Sequence, residues 1–249
     1  MLNQLTILFT VMLFAGFAAK AQQDLSGQIP KAKRYTPFEV IDQRYGIIMY
    51  EKLNKRLGGD SVRNCRGYSC SGWIEDYYVN GKLLHRGYYV DGQLKIYKNF
   101  FPNGQQEREF KVVDDYRSTL RVFHGNSNLK SQVKYISSDA SEWTDFYENG
   151  NIEYHEQYHK SFEYYIVQKS NYENGTPESI LELVNKKKLI FDKREYHKNG
   201  KIKLYGQLIY SEDLFDYQKI GKWQTYDETS RLTHEETWER GEKVKDKDY

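Results

Sequence analysis

The feature that most restricts this chain is a short string that keeps returning: an aromatic residue, any residue, Asn or Asp, then Gly. It occurs as Tyr78-Val79-Asn80-Gly81, Tyr89-Val90-Asp91-Gly92 and Phe101-Pro102-Asn103-Gly104. It returns as Tyr147-Glu148-Asn149-Gly150 and Tyr172-Glu173-Asn174-Gly175, and more loosely as His197-Lys198-Asn199-Gly200. Asn-Gly and Asp-Gly favour the type I′ hairpin turn, because both of its central residues need positive φ. Gly81, Gly92, Gly104, Gly150, Gly175 and Gly200 are therefore the expected turn positions. The segments between them, such as Lys82-Leu83-Leu84-His85-Arg86-Gly87-Tyr88, read as strands. Gly150, Gly175 and Gly200 stand 25 residues apart, and a fixed period of this size signals an array of repeated units. A hairpin is marginal alone, so each unit must pack on its neighbours.

Composition agrees with a thin sheet. The apolar fraction is only 39%, yet 16% of residues are aromatic and 23 are Tyr. A tyrosine has an apolar ring and a wet tip, so it suits a half-covered surface. The expected fold is mainly β: an elongated single-layer antiparallel sheet of repeated β-hairpins, preceded by a signal peptide and one short α-helix. The expected organisation is a signal peptide over 1–21, a linker over 22–35, an amphipathic helical segment over 36–59, and the hairpin domain over 60–249.

Residues 5–18, LTILFTVMLFAGFA, form an uncharged apolar run. It is shorter than the ~20 residues that span a bilayer. Ala19-Lys20-Ala21 supplies a small-x-small cleavage site, so cleavage after Ala21 and a periplasmic, surface or secreted product are expected. The amino-terminal MLNQ lacks the usual Lys or Arg, which leaves an uncleaved anchor as the alternative. Cys65 and Cys70 are the only cysteines. In an oxidising compartment such a pair is expected to form a disulfide. A zinc site is disfavoured, because two thiolates are half of a structural set.

Residues 36–57 read as one helix. Thr36 can cap it, Pro37 suits the first position and Glu39 completes a capping box. Phe38, Ile41, Tyr45, Ile48 and Met49 fall near one helical stripe, and Gly58-Gly59 ends it. The stripe is expected to cover the start of the sheet.

Several segments resemble the variant MORN-repeat family, whose pattern is Gly-x-Trp-x-x-Tyr, a Gly-centred turn, then Leu or Ile. Gly72-Trp73-Ile74-Glu75-Asp76-Tyr77 with Gly81 and Leu83 carries the resemblance most fully. Gly221-Lys222-Trp223-Gln224-Thr225-Tyr226 with Leu232 follows it, and Trp143, Tyr147, Gly150 and Ile152 match in part. The resemblance spans about residues 72–244 and implies successive antiparallel hairpins. It implies scaffold roles at membranes or antitoxin-type and immunity-type binding, and it does not identify a partner. The 104–143 stretch departs from the pattern, with His124-Gly125-Asn126 as a weak turn.

One motif points elsewhere. His155-Glu156-Gln157-Tyr158-His159 is a literal HExxH, which on a helix can hold zinc between two histidines with Glu as base. Here it follows the Asn149-Gly150 turn. Ile152, Tyr154, Tyr158, Phe162, Tyr164 and Ile166 alternate with polar positions, as in a strand. Two histidines four residues apart on a strand are about 13 Å apart, too far for one metal. No catalytic, cofactor or metal residues are therefore expected, with His155, Glu156 and His159 as the zinc-hydrolase alternative.

Net charge is +2 and the signs are mixed, so no field that would gather nucleic acid is expected. The basic stretch Lys186–Lys203 is the exception and could meet a lipid headgroup. The expected role is an exported, non-enzymatic binding or scaffold module. Its partner would be an envelope protein, a glycan or a lipid headgroup, with self-association at the open sheet edges.

Overall fold

The structure, a computed structural model, describes residues 33–249. The signal peptide of residues 1–21 and most of the 22–35 linker lie outside the described residues.

Strand β1 (Arg34–Tyr35) leads into helix α1 (Pro37–Val40) and two 3-10 turns, Glu51–Leu53 and Lys55–Leu57. A small hairpin follows, β2 (Asn64–Cys65) and β3 (Tyr68–Ser69). The remaining elements are all strands. They run β4 (Gly72–Tyr78), β5 (Leu83–Val90), β6 (Gln93–Phe100), β7 (Gln106–Val112) and β8 (Arg117–Phe123). Next come β9 (Leu129–Ile136), β10 (Asp139–Phe146), β11 (Ile152–Tyr158), β12 (Tyr165–Asn171) and β13 (Pro177–Asn185). The last five are β14 (Ile190–Tyr196), β15 (Ile202–Ser211), β16 (Asp216–Tyr226), β17 (Leu232–Glu239) and β18 (Glu242–Asp248). Strands β4 to β18 pair in chain order, each antiparallel to the next, and β1 adds in parallel to β4, giving one 16-stranded sheet. This is the mainly β, hairpin-built sheet expected from the sequence.

The turns differ from the expected type. At Gly81 only the glycine has positive φ, +82°. Gly81 N–H donates to Tyr78 O (2.9 Å), Tyr78 N–H donates to Lys82 O (2.9 Å), and the β4–β5 register slips by one residue beside the turn. This is a three-residue loop whose left-handed glycine forms a bulge, and not a type I′ turn. The same pattern repeats at Gly104, Gly150, Gly175 and Gly200. Among the expected positions, Asp91-Gly92 alone has two positive φ values, +49° and +76°.

The array is also more regular than the sequence suggests. Ser127 takes the left-handed position after His124 (φ +71°), and Ser230 takes it after Asp227 (φ +74°). The left-handed residues then step by 23 from Gly81 through Gly104 and Ser127 to Gly150, by 25 to Gly200, and by 30 to Ser230. The 104–143 stretch is therefore in phase, with His124 in the aromatic's place and Ser127 in the glycine's.

All seven of these turns lie on one edge of the sheet; the turns at Gly81 and Gly104 bond to each other, and those from Ser127 through Ser230 bond in series. The Asn carbonyl closes its own turn, as in Asn149 Oδ1 accepting from Asn151 N–H (2.9 Å). Its amide reaches the next turn: Asn149 Nδ2 donates to Glu173 O (2.9 Å), and Asn199 Nδ2 to Glu228 O (3.1 Å). The first residue of the turn also reaches forward. Tyr78 O–H donates to Phe100 O, Tyr147 O–H to Asn171 O, and Tyr172 O–H to Tyr196 O, at 2.8–3.0 Å. His124 and His197 make the equivalent contact, each through Nε2 at 2.9 Å, to Phe146 O and Tyr226 O. Aromatic-x-Asn-Gly is therefore a linking motif as well as a turn motif.

The expected helix over 36–57 is four residues long. Glu39 does close the capping box on Thr36. Beyond Val40 the chain breaks away: Asp42 pairs with Gly46 in an isolated bridge, Asp42 Oδ1 accepts from Arg44 N–H (2.8 Å), and Gly46 sits at φ +81°. Local Asp-to-backbone bonds and a left-handed glycine stop a helix. Phe38 is 96% exposed, and Val40, Ile47, Tyr50 and Leu53 carry the burial instead. They cover the first sheet face over Tyr78, Leu84, Tyr89, Leu94, Tyr97, Phe110, Leu120 and Val133. A second, smaller core holds Leu181, Phe191 and Tyr210 near the far end.

Candidate binding surface

Strand pairing sorts the side chains into two faces. The face under the segment 35–63 contains a row with one member seven residues before each left-handed turn residue. Reading along the sheet, these are Ile74, Tyr97, Leu120, Trp143, Gln168, Lys193 and Trp223. Register links the row directly, for example Leu120 to Val133 to Trp143 to Glu156 to Gln168 to Leu181 to Lys193. The row is apolar beneath the covering segment; beyond Trp143 it carries Glu156, Gln168 and Lys193, with Leu181 buried between the last two. Trp223 closes it, buried on Gly206, where any β-carbon would fall 2.2 Å from the indole.

Trp73 is eight residues before Gly81, and not seven. A one-residue shift reverses the face of a strand residue. Trp73 accordingly lies on the opposite face, 55% exposed, edge-on to Tyr88 at 5.4 Å and beneath Arg86. Trp143 and Trp223, with Trp73 the tryptophans of the sequence pattern, thus do not occupy equivalent places to it. Tyr77 is on the Trp73 side with its hydroxyl on Glu75, and Tyr226 donates to Gln224 Oε1 (2.9 Å).

Where the covering segment stops, it leaves a groove of about 530 Å3. Its floor is Leu120, Val122, Val133 and Trp143, and its rim includes Arg44, Tyr45, Ile48 and Lys130. Trp143 is fixed in place by donating Nε1–H to Asp145 Oδ1 (2.7 Å). Next to the groove the polar part of the row is pre-ordered. Gln168 Nε2 donates to the Tyr154 hydroxyl (2.8 Å), which donates to Glu156 Oε2 (2.5 Å). Lys193 Nζ donates to Ser179 Oγ (2.6 Å). Of the groove's floor residues only Trp143 stands out in the sequence, and Glu156 and Lys193 stand out there for other reasons, in the HExxH string and the basic stretch. The groove is assembled from separate stretches whose convergence no local pattern announces.

The covering segment is pinned by buried polar groups. Arg63 forms a two-pronged ion pair with Asp76 (2.6 and 2.7 Å), and the Tyr50 hydroxyl donates to Asp76 Oδ2 (2.6 Å). Burial alone would raise the Asp76 carboxyl, but the Arg63 and Tyr50 hydrogen bonds outweigh it and hold it below its usual range. His85 is fully buried between Asn99 Oδ1 (2.7 Å) and the Tyr89 hydroxyl (2.9 Å), and burial pulls it down to about 4. Glu107 is 1% exposed and accepts from Ile47 N–H (3.3 Å) and from Arg108, which also pairs with Glu51. Burial raises the Glu107 carboxyl, and Arg108 only partly offsets this. Cys65 and Cys70 form the expected disulfide across the β2–β3 hairpin, Cα to Cα 5.0 Å. Cys70 O then accepts from Gly92 N–H (2.8 Å), which ties the hairpin to the β5–β6 turn.

The HExxH residues do not converge. His155 shares a face with Thr144 and Lys169 and lies 2.9 Å from Thr144 Oγ1. Glu156 points to the other face beside Trp143 and Gln168. His159 is past the strand end, stacked on Tyr164 at 4.6 Å. The basic stretch is likewise dispersed. Lys186, Lys187 and Lys188 sit in the β13–β14 loop on one edge, and Lys198 and Lys201 on the edge of the Asn-Gly turns. Arg194 pairs with Glu182 (2.8 Å) and Lys203 with Glu195 (3.8 Å). Among the described residues no helix is long and apolar enough to cross a membrane.

No family model and no curated protein matches the chain. Solved structures of TarM are similar over parts of their length. The S. aureus TarM G117R mutant, in complex with Fondaparinux, alpha-GlcNAc-glycerol and UDP, is 16% identical with a TM-score of 0.28. That match covers 71% of this chain and 32% of TarM. A second TarM structure has 16% identity and a TM-score of 0.27, covering 62% and 27%. The chain thus spans about a third of TarM or less.

Proposed function

We propose that this chain is an exported, non-enzymatic repeat protein that serves as a binding or scaffold module in the cell envelope. Its partner would engage the groove at the end of the covering segment and the open row beside it. The observation that carries this reading is the groove itself: an apolar floor ending in Trp143, left uncovered by the described residues, beside an ordered row of Tyr154, Glu156, Gln168 and Lys193. Concave apolar sites with a few placed polar groups are the usual form of a binding site, and fixed aromatic rings suit contact at low entropic cost. The disulfide suits an oxidising compartment.

A photo-crosslinking amino acid at Lys130 or Lys193, compared with one at Lys98 on the opposite face, tests the site. Cell-envelope material should be captured from the first two positions and not from Lys98. Equal capture from both faces, or capture from Lys98 alone, would refute the placement.

A further inference from the structure

We propose that His234, Glu236 and Asp246 form a surface site for a divalent transition-metal ion of the zinc class, with Asp248 orienting the imidazole. The site lies at the far end of the sheet and is separate from the groove. On a strand, residues i and i+2 share a face, and the residue paired across from one of them completes a triangle. His234 and Glu236 are such an i, i+2 pair on β17, and Asp246 on β18 pairs with Glu236. The three ligand atoms all lie within 4.8 Å of one another. His234 Nε2 is 3.1 Å from Asp246 Oδ1 and 3.8 Å from Glu236 Oε1.

The surrounding groups leave one atom of each ligand turned inward. Asp248 Oδ1 lies 2.7 Å from His234 Nδ1. A carboxylate that takes the Nδ1 proton leaves the Nε2 lone pair for a metal, the usual support of a ligating histidine. Glu236 Oε2 accepts from Trp238 Nε1–H (2.9 Å) and Lys219 Nζ (3.3 Å), which leaves Oε1 toward His234. One imidazole and two carboxylates suit zinc and its neighbours better than calcium or magnesium, which prefer an all-oxygen shell. A cation already stands there: Lys243 Nζ lies 3.3 Å from Glu236 Oε1 and 2.5 Å from Asp246 Oδ2. Its long exposed stem can swing aside, so a divalent ion would displace the ammonium and keep both carboxylates neutralised. The HExxH histidines have no such arrangement.

Zinc titration of the mature chain by calorimetry, with metal analysis after gel filtration, tests the assignment. One zinc per chain is expected. His234→Ala should weaken binding at least tenfold, and Asp248→Asn by about tenfold. Lys243→Gln should tighten it several-fold by removing the competing ammonium, an effect that a purely structural ion-pair cluster would not give. His159→Ala should leave binding unchanged. No binding at millimolar zinc, unchanged affinity in His234→Ala, or loss in His159→Ala with retention in His234→Ala would each overturn the site.

Discussion

Tyr50 lies flat on His85, ring centroids 3.7 Å apart and planes 10° from parallel. The contact joins the covering segment to the sheet through a histidine that must stay neutral. His85 titrates at about 4 when folded, against about 6.5 when unfolded. Below pH 6.5 the unfolded chain therefore binds the extra proton, and stability falls as pH drops from about 6.5 to 4. The loss amounts to about 3 kcal/mol at most. His85→Phe should be less stable at pH 7, yet show a shallower decline of Tm across that window. An unchanged acid slope in the variant would rule out His85 as its source.

The Arg63–Asp76 pair predicts a different response. Both partners are largely buried, so deleting one strands the other. Arg63→Leu should cost about 3–5 kcal/mol, because an uncompensated carboxylate is left beneath Tyr50. Asp76 has its pKa lowered in the folded state, so its contribution is present at neutral pH and is lost as pH falls through that lowered value. Arg63→Leu/Asp76→Leu should recover part of the loss. Chemical denaturation of the three variants would settle this, and a double variant worse than Arg63→Leu would contradict it.

The linked turns give opposite predictions at two equivalent positions. Gly150 and Ser127 both hold left-handed backbone, at φ +88° and +71°. That conformation costs a side-chain-bearing residue about 1–2 kcal/mol, while glycine loses about 0.5–1 kcal/mol more chain entropy on folding. Gly150→Ser should lower stability by about 1 kcal/mol, and Ser127→Gly should raise it by a few tenths. Thermal melts of both variants check the pair, and destabilisation by Ser127→Gly would show that its hydroxyl matters more than its backbone.

Strand β18 is the last strand of the sheet among the described residues, and its outer edge bears on self-association. Tyr249 N–H donates to Thr233 O (3.0 Å), so alternate residues Lys247 and Lys245 turn their backbone toward β17. Asp246 and Asp248 turn theirs outward. A second antiparallel copy must align outward residues with outward ones. Placing Asp246 against Asp246 sets Lys245 against Lys247, and placing Asp246 against Asp248 sets Lys247 against Lys247. Like charges directly opposite repel, so pairing through this edge is expected to fail. Sedimentation velocity should show no β18-mediated dimer, and Lys245→Thr/Lys247→Thr should promote association. A wild-type dimer with amide protection at Asp246 and Asp248 would refute this.

Local rules made much of the array legible. Asn-Gly pairs placed the hairpins, and Cys65 and Cys70 announced their disulfide. Long-range demands were not legible. The stripe through Phe38, Ile41 and Tyr45 suggested a helix, but the segment needed to lie flat over Tyr97 and Phe110, and Asp42 and Gly46 bent it to do so. The turn at Ser127 was obscured because a serine filled a glycine's place. The groove was invisible because its floor and rim come from segments with no shared motif. The His234-x-Glu236 spacing could have been noticed on an alternating strand, yet its third member, Asp246, is defined only by register.

Because the Asn-Gly turns at Gly81, Gly150, Gly175 and Gly200 each bond to the next turn two strands away, the unit of length change in this protein is two strands. Adding or removing one whole unit keeps every turn of the series on its own edge and every row on its own face. Removing a single strand would send all later Asn-Gly turns to the opposite edge, severing the bonded series at one point. Lineages of such chains should therefore differ in size by steps of about 23 to 25 residues, and a larger step such as the 30 residues before Ser230, where β15 and β16 are longer than β13 and β14, marks strands that have grown within a unit rather than a new unit.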